Sequence, residues 1–201
     1  MSVEVRPIAG ILLAAGSATR FGGDKLLAPL RGGDARSGPS VECVGLASCR
    51  HLLAAVPRVV AVVRPGDTVL ADMLAAAGAE VVPCPAARDG MGASLSCGVR
   101  AAAQASGWIV ALADMPWIAP ATIARVAAAI ADGVGAVAPF YRGTRGHPVG
   151  FGADCYAALT ALTGDAGARD VVAAQGARLV RVDVDDPGIL RDIDTPADLR
   201  G

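Results

Sequence analysis

The chain has 201 residues, 53% hydrophobic and 18% charged, with a formal net charge of -1. It is too apolar to be disordered and is the size of one domain, and with aromatics at 3% its core must be built on Ala, Val, Leu and Ile. The near-neutral balance excludes the basic footprint of a nucleic-acid or membrane-surface protein, and no apolar run approaches the roughly 20 residues of a membrane span. In chain order, short aliphatic runs predict strands at 8–14, 59–63, 80–82, 108–113, 136–138, 147–151 and 179–184. Helical patterns fall between them at 41–55, 67–77, 92–105, 120–131, 153–162 and 168–175. The first and fourth strands are continuously apolar, as in strands covered on both faces. Pro120 suits a first helical position, and Gly78 and Gly133 suit helix ends. The alternation predicts an α/β fold, a three-layer sandwich with a mainly parallel, Rossmann-like mixed sheet. One domain is expected over 1–201, in two parts at about 1–115 and about 116–201. There is no internal repeat. Residues 31–40 read as a Gly/Arg/Ser-rich loop, and Arg142-Gly143-Thr144-Arg145-Gly146 as a hairpin excursion flanked by the strands at 136–138 and 147–151.

The first strand runs into Ala15-Gly16-Ser17-Ala18-Thr19-Arg20-Phe21-Gly22-Gly23-Asp24-Lys25. In parallel sheets ligands bind beyond the carboxyl ends of strands, and glycines there let backbone N–H groups approach a polyphosphate. Arg20 adds a planar fork and Lys25 a point charge. Lys25 is the one lysine of the chain and asparagine is absent, a bias toward Arg and Ala that makes this lysine more telling. The glycine spacing is neither G-x-G-x-x-G nor G-x-x-x-x-G-K-[ST], so a dinucleotide fold and a P-loop are disfavoured. The bland alternative is a glycine turn with solvated charges.

The segment Leu13-Ala14-Ala15-Gly16-Ser17-x-x-Arg20-Phe21-Gly22-x-Asp24-Lys25-Leu26-Leu27 resembles the signature of the molybdenum-cofactor nucleotidyltransferases, within the sugar-phosphate nucleotidyltransferase superfamily. The resemblance covers nearly the whole chain, because four later segments match in order. It implies the nucleotide-diphospho-sugar transferase type of fold and a nucleotide site that includes Leu13, Ala14, Ala15, Gly16, Arg20 and Lys25.

Gly90-Met91-Gly92-Ala93-Ser94-Leu95-Ser96 enters a helix, where N–H groups bind anions. Ser94 or Ser96 could be an N-cap; the resemblance implies that the segment, with Gly92 and Ser94, closes over the base. Ala111-Leu112-Ala113-Asp114-Met115-Pro116 puts a carboxylate at the end of a buried strand, where a bound cation would offset its burial; a capping role before Pro116 is the alternative. In Asp192-Ile193-Asp194-Thr195-Pro196-Ala197-Asp198, Thr195 and Asp198 fit an N-cap and N3 pair with Pro196 at N1. Asp192 and Asp194 are left over, alternating on a strand with Ile193. The resemblance implies that Asp114 and Asp194 bind Mg2+ with the triphosphate, Asp192 being the substitute for Asp194. Arg145-Gly146-His147-Pro148 and Gly164-Asp165-Ala166-Gly167-Ala168-Arg169 resemble the cytidylyltransferase branch and imply acceptor binding by His147, Asp165 and Arg169. A structural His147 and a helix-capping Asp165 stay open. Residues 31–40 depart from the family as an insertion after Lys25-Leu26-Leu27.

The expected reaction is CMP transfer from CTP to the terminal phosphate of molybdenum-bound molybdopterin, with Arg20 and Lys25 as catalytic cations, Mg2+ as cofactor and a molybdenum hydroxylase as the receiver of the product. Ala15, where the guanylyl branch reads L-A-G-G, favours CTP over GTP. The rivals are a guanylyltransferase on the same cofactor, a cytidylyl- or uridylyltransferase on a sugar or polyol phosphate, and a non-catalytic accessory protein that binds the cofactor. Cys43, Cys49, Cys84, Cys97 and Cys155, odd in number and without C-x-x-C spacing, read as buried thiols in a reducing compartment. The apolar run 8–15, preceded by Glu4 and ending in glycine, does not read as a signal peptide, and a soluble, cytoplasmic protein is expected.

Overall fold

The computed structural model describes residues 7–16, 21–30, 42–130 and 134–199. Strands β1 (Ala9–Leu13), β2 (Arg58–Val63), β3 (Glu80–Pro83), β4 (Gly107–Leu112), β5 (Ala136–Tyr141), β6 (Thr144–Arg145), β7 (Val149–Gly152) and β8 (Val180–Asp183) form one sheet. Its order is β3-β2-β1-β4-β7-β5-β6, with β8 alongside β5. The pairs β3–β2, β2–β1, β1–β4 and β5–β8 are parallel, and β7 runs antiparallel to both β4 and β5. The carboxyl ends of β1, β2 and β4 therefore share one edge, and the chain leaves β1 toward β2 on one side and β4 on the other. That reversal of strand order is where α/β sheets open a ligand crevice.

Alternate residues of β1 feed two cores. Ala9 and Ile11 face the cluster that holds Leu95, Val99, Trp108 and Phe151. Leu12 faces the one that holds Leu52, Leu70, Ile109 and Ile123. Helices α1 (Val44–Leu53), α2 (Thr68–Ala76) and α4 (Pro120–Ala128) cover the second face. Helix α3 (Met91–Ala101), α5 (Tyr156–Thr160) and α6 (Arg169–Ala173) cover the first. Helix α3 lies so close that a Cβ on Gly98 would stand 2.6 Å from Ile11 Cγ2. This is the expected three-layer sandwich.

Three local expectations change. The helix predicted from 41 starts at Val44, because residues 42 and 43 are used in pairing: Leu30 donates to Glu42 O at 2.9 Å, and Pro29 bridges Cys43. Residues 31–41 lie outside the described residues. The excursion is a tight hairpin of β5 and β6, turning at Arg142 (φ 47°) and Gly143 (φ 85°). Two successive left-handed residues match the sheet twist, so β5 runs on through Pro139, Phe140 and Tyr141, and the antiparallel return begins at Thr144. Residues 192–194 are not a strand, for they have no ladder partner; Ile193 N donates to Asp114 O at 2.9 Å instead. The expected alternation survives without the sheet, with Ile193 buried, Asp192 exposed and Asp194 half-buried. Among the described residues no helix is long and apolar enough to cross a membrane.

Candidate active site

Two adjoining hollows of about 490 and 500 Å³ open at the strand-end crevice and share Leu13, Met91, Leu112 and Asp165 as their common wall. The first is lined by Ala15, Gly16, Lys25, Arg64, Arg88 and Asp114, among others. Three cations and backbone at the end of β1 suit a polyphosphate there. The second has an apolar floor of Val110, Val149, Phe151 and Val172 and a polar rim of Arg145, His147, Asp165 and Arg169.

The fold positions each group by specific contacts. The backbones of β1, β2 and β4 stay paired past their ends, Ala14 N donating to Val62 O at 2.9 Å and Ala113 N to Leu13 O at 3.1 Å. From α1, Ser48 Oγ donates to Ala113 O at 2.8 Å and fixes the turn that carries Asp114. The bond from Ile193 N to Asp114 O then lays residues 192–194 against that turn. Lys25 opens a one-turn 3-10 helix, Lys25–Leu27, whose N-cap Asp24 accepts from Leu26 N. Its Nζ donates to Asp114 Oδ2 at 2.7 Å and to Ile193 O at 2.9 Å, and lies 3.6 Å from Asp194 Oδ1. The two carboxylates singled out from sequence thus converge on one positive charge. Two carboxylates plus substrate phosphates and water make a donor set that Mg2+ accepts, so the residues fit the expected metal. Asp198 accounts for itself structurally, accepting from Thr195 N at 2.7 Å, Thr195 Oγ1 at 2.8 Å and Asp194 N at 3.2 Å.

A family model described as the MobA-like NTP transferase domain matches residues 10–180. The chain belongs to the MobA-like NTP transferase family. It is 31% identical over 206 residues to the purine catabolism protein PucB of Bacillus subtilis (strain 168), covering 93% of this chain and 91% of PucB. Among solved structures it is similar to Rv0371c from Mycobacterium tuberculosis H37Rv, with a TM-score of 0.80, 25% identity and coverage of 98% and 97% of the two chains. It is equally similar to a nucleotidyl transferase from Methanothermobacter, with a TM-score of 0.80, 26% identity and coverage of 96% and 94%. The structure is thus a nucleotidyltransferase of the MobA-like family, its cleft at the crevice where such folds take ligands.

Within this MobA-like cleft, Leu13, Ala15, Gly16, Lys25, Ser94 and Asp114 line the cationic hollow. His147, Asp165 and Arg169 line the apolar-floored one, and Asp165 reaches both. Arg20 lies outside the described residues. Ala14 and Gly92 do not line either hollow. Ala14, directly after β1, is buried at 1% exposure. Gly92 N donates to Gly164 O at 2.8 Å, so its amide is committed to the neighbouring loop. The N-cap alternative for Ser94 and Ser96 is overturned: Gly90 caps α3, Ser94 Oγ turns back to Gly90 O at 3.4 Å, and Ser96 Oγ donates to Thr160 O at 2.8 Å. Asp165 is likewise no helix cap, since α6 starts from Ala168 and no side chain caps it. Sequence reasoning missed Arg64 and Arg88. Arg64 follows directly on β2, and a basic residue at the carboxyl end of a parallel strand was signal enough.

His147 is held by its own amide, which donates to Ile189 O at 3.0 Å, and its Nδ1 is buried without a hydrogen-bond partner. Burial pushes the imidazole below its ordinary value near 6.5; the Asp114 carboxylate pulls upward, Arg145 adds to the lowering, and Asp192 opposes it. A folded-state value below the unfolded one makes this contribution to stability complete above the unfolded pKa and lost as pH falls through it toward the folded value. We expect the melting temperature to drop from about pH 7 to about pH 5 more steeply in the wild type than in His147→Gln. Parallel pH curves for the two proteins would show that His147 carries no such linkage.

Proposed function

We propose that the cleft transfers CMP from CTP to the terminal phosphate of a molybdenum-bound molybdopterin, releasing pyrophosphate, and that the product passes to a molybdenum hydroxylase. The observation that carries this reading is the convergence of Asp114 and Asp194 on Lys25, with Lys25 and Asp114 lining the cationic hollow. An oxygen of the acceptor phosphate attacks the α-phosphorus, and the bond from that phosphorus to the bridging oxygen of the β-phosphate breaks. The attacking oxygen is already anionic, so no side-chain base is required. Lys25, with Arg20, Arg64 and Arg88, would neutralise the triphosphate and the departing pyrophosphate. Asp114 and Asp194 would hold Mg2+, which when bound supplies charge stabilisation at the transferring phosphate. His147, Asp165 and Arg169 would orient the acceptor. The floor of Val110, Val149, Phe151 and Val172 suits the flat ring system of a pterin better than a polyol, which presents hydroxyls on every side. Pyrophosphate release across a nucleotide panel, with purified molybdenum–pterin cofactor as acceptor, tests the reading.

The nucleotide preference rests on Ala15, which lines the cationic hollow at 5% exposure. A base stacked against the backbone of Leu13, Ala14 and Gly16 would meet the Ala15 methyl, and a purine has less room than a pyrimidine. One methyl is worth roughly 1–3 kcal/mol, about 10- to 200-fold in rate ratio. Ala15→Gly is expected to raise GTP use more than it lowers CTP use. Equal use of GTP and CTP by the wild type would refute this role for Ala15 and leave nucleotidyl transfer standing.

A further inference from the structure

Lys25 does not face open solvent in the cleft. Its side chain is 13% exposed, and its ammonium is ringed by Asp114 Oδ2 at 2.7 Å, Ile193 O at 2.9 Å and Asp194 Oδ1 at 3.6 Å. Two carboxylates and a carbonyl are hard oxygen donors, the kind that magnesium and manganese take. A divalent ion needs these oxygens at about 2.1 Å, closer than any ammonium contact, and a cation in their midst would repel it at short range. Lysine and metal therefore exclude each other so long as the two carboxylates are the only anions present.

We propose that Lys25 is a built-in placeholder for the divalent metal, holding the metal position in the nucleotide-free protein and yielding it when a triphosphate arrives. The proposal rests on the reading of Asp114 and Asp194 as metal ligands. Lysine is suited to both positions. It is a compact charge on a flexible stem, and Lys25 already lines the hollow assigned to the phosphates. The nucleotide brings enough negative charge to hold both cations, so the ammonium can move to the phosphates while the carboxylates take the metal. Two consequences follow. The metal enters with the nucleotide and not ahead of it, and the carboxylates never face each other uncompensated in the empty cleft.

The test is manganese binding to the full chain without nucleotide, read from the paramagnetic resonance signal of free Mn2+. Wild type is expected to bind weakly. Lys25→Met, which keeps the stem and removes the charge, is expected to bind Mn2+ at least about tenfold more tightly. Lys25→Arg keeps the charge and is expected to stay weak. The gain should vanish in Lys25→Met combined with Asp114→Asn. CTP should narrow the gap between wild type and Lys25→Met. The melting temperature of Lys25→Met should rise with Mn2+ more than that of wild type, which also reports that the variant folds. Unchanged or weaker Mn2+ binding in Lys25→Met overturns the placeholder. If Asp114→Asn alone still weakens Mn2+ binding in the presence of CTP, the ligand reading survives that result. A gain that persists in the double variant overturns both, because the metal would then sit elsewhere.

Discussion

Lys25→Ala is expected to lose at least about tenfold in turnover at saturating nucleotide and acceptor, and to lose stability as well. Turnover falls because a point charge is removed from the phosphates at the moment their charge is redistributed, where a single donor or cation is worth about 2–4 kcal/mol. Stability falls because Lys25 is a tie between three parts of the chain. Its ammonium joins the 3-10 turn after the glycine loop to the Asp114 turn and to the Ile193 carbonyl. Side chains 13% and 22% exposed are screened more than a fully buried pair, so about 1–3 kcal/mol is the fitting scale. Pyrophosphate release and urea denaturation measure the two effects separately. A variant as active as wild type would remove Lys25 from the chemistry, whereas an unchanged denaturation midpoint would remove only its structural tie.

Gly92→Ala is expected to disturb both hollows at once. A Cβ on Gly92 would stand 2.8 Å from the carbonyl oxygens of Ala166 and Thr163 and 2.9 Å from that of Gly164. All three are backbone atoms and cannot rotate away. The loop that carries Asp165 must then move off α3, straining the bond from Gly92 N to Gly164 O. Met91, whose Sδ lies over Gly167, must shift too. Overpacking of this kind costs about 1–3 kcal/mol. Asp165 and Met91 line both hollows, so the KM values for nucleotide and acceptor should rise together. Gly16→Ala is the contrast for stability, since a Cβ there meets nothing within 4 Å among the described residues. A Gly92→Ala variant as stable as Gly16→Ala, with only one KM altered, would show that the two loops are not mechanically joined.

The parts of the site that follow a buried strand were legible in the sequence. Leu13 and Asp114 announce themselves because continuous apolar runs end abruptly in glycine or in a carboxylate, and the sheet places those ends side by side. The longer glycine motif supplied Lys25. What the sequence concealed depends on contacts between distant segments. Gly92 reads as part of a segment that closes over the base, and only the fold shows that its smallness also serves the approach of residues 163–166. Ser96 reads as a cap, yet its hydroxyl bridges α3 to the end of α5. Residues 192–194 carry the period-two pattern of a strand, but one bond to Asp114 and the burial of Ile193 suffice to impose it. Arg88 comes from the 3-10 helix Pro85–Asp89, and only the folded chain shows that it shares a hollow with Arg64 and Lys25. The role of Lys25 as a partner of both acidic residues had no signal in the sequence, because the three are separated by most of the chain.

The most direct test of nucleotidyl transfer follows the α-phosphate of labelled CTP into the acceptor, with pyrophosphate counted in parallel over a magnesium titration. The wild type should give labelled product and pyrophosphate in equal amounts. Asp114→Asn and Asp194→Asn should each raise the magnesium needed for half-maximal rate. An unchanged titration in Asp194→Asn with a shift in Asp192→Asn would transfer the second ligand to Asp192. Binding of nucleotide and cofactor by folded wild-type protein, with no label transferred from any nucleoside triphosphate, would contradict the account and leave a non-catalytic cofactor-binding protein in its place.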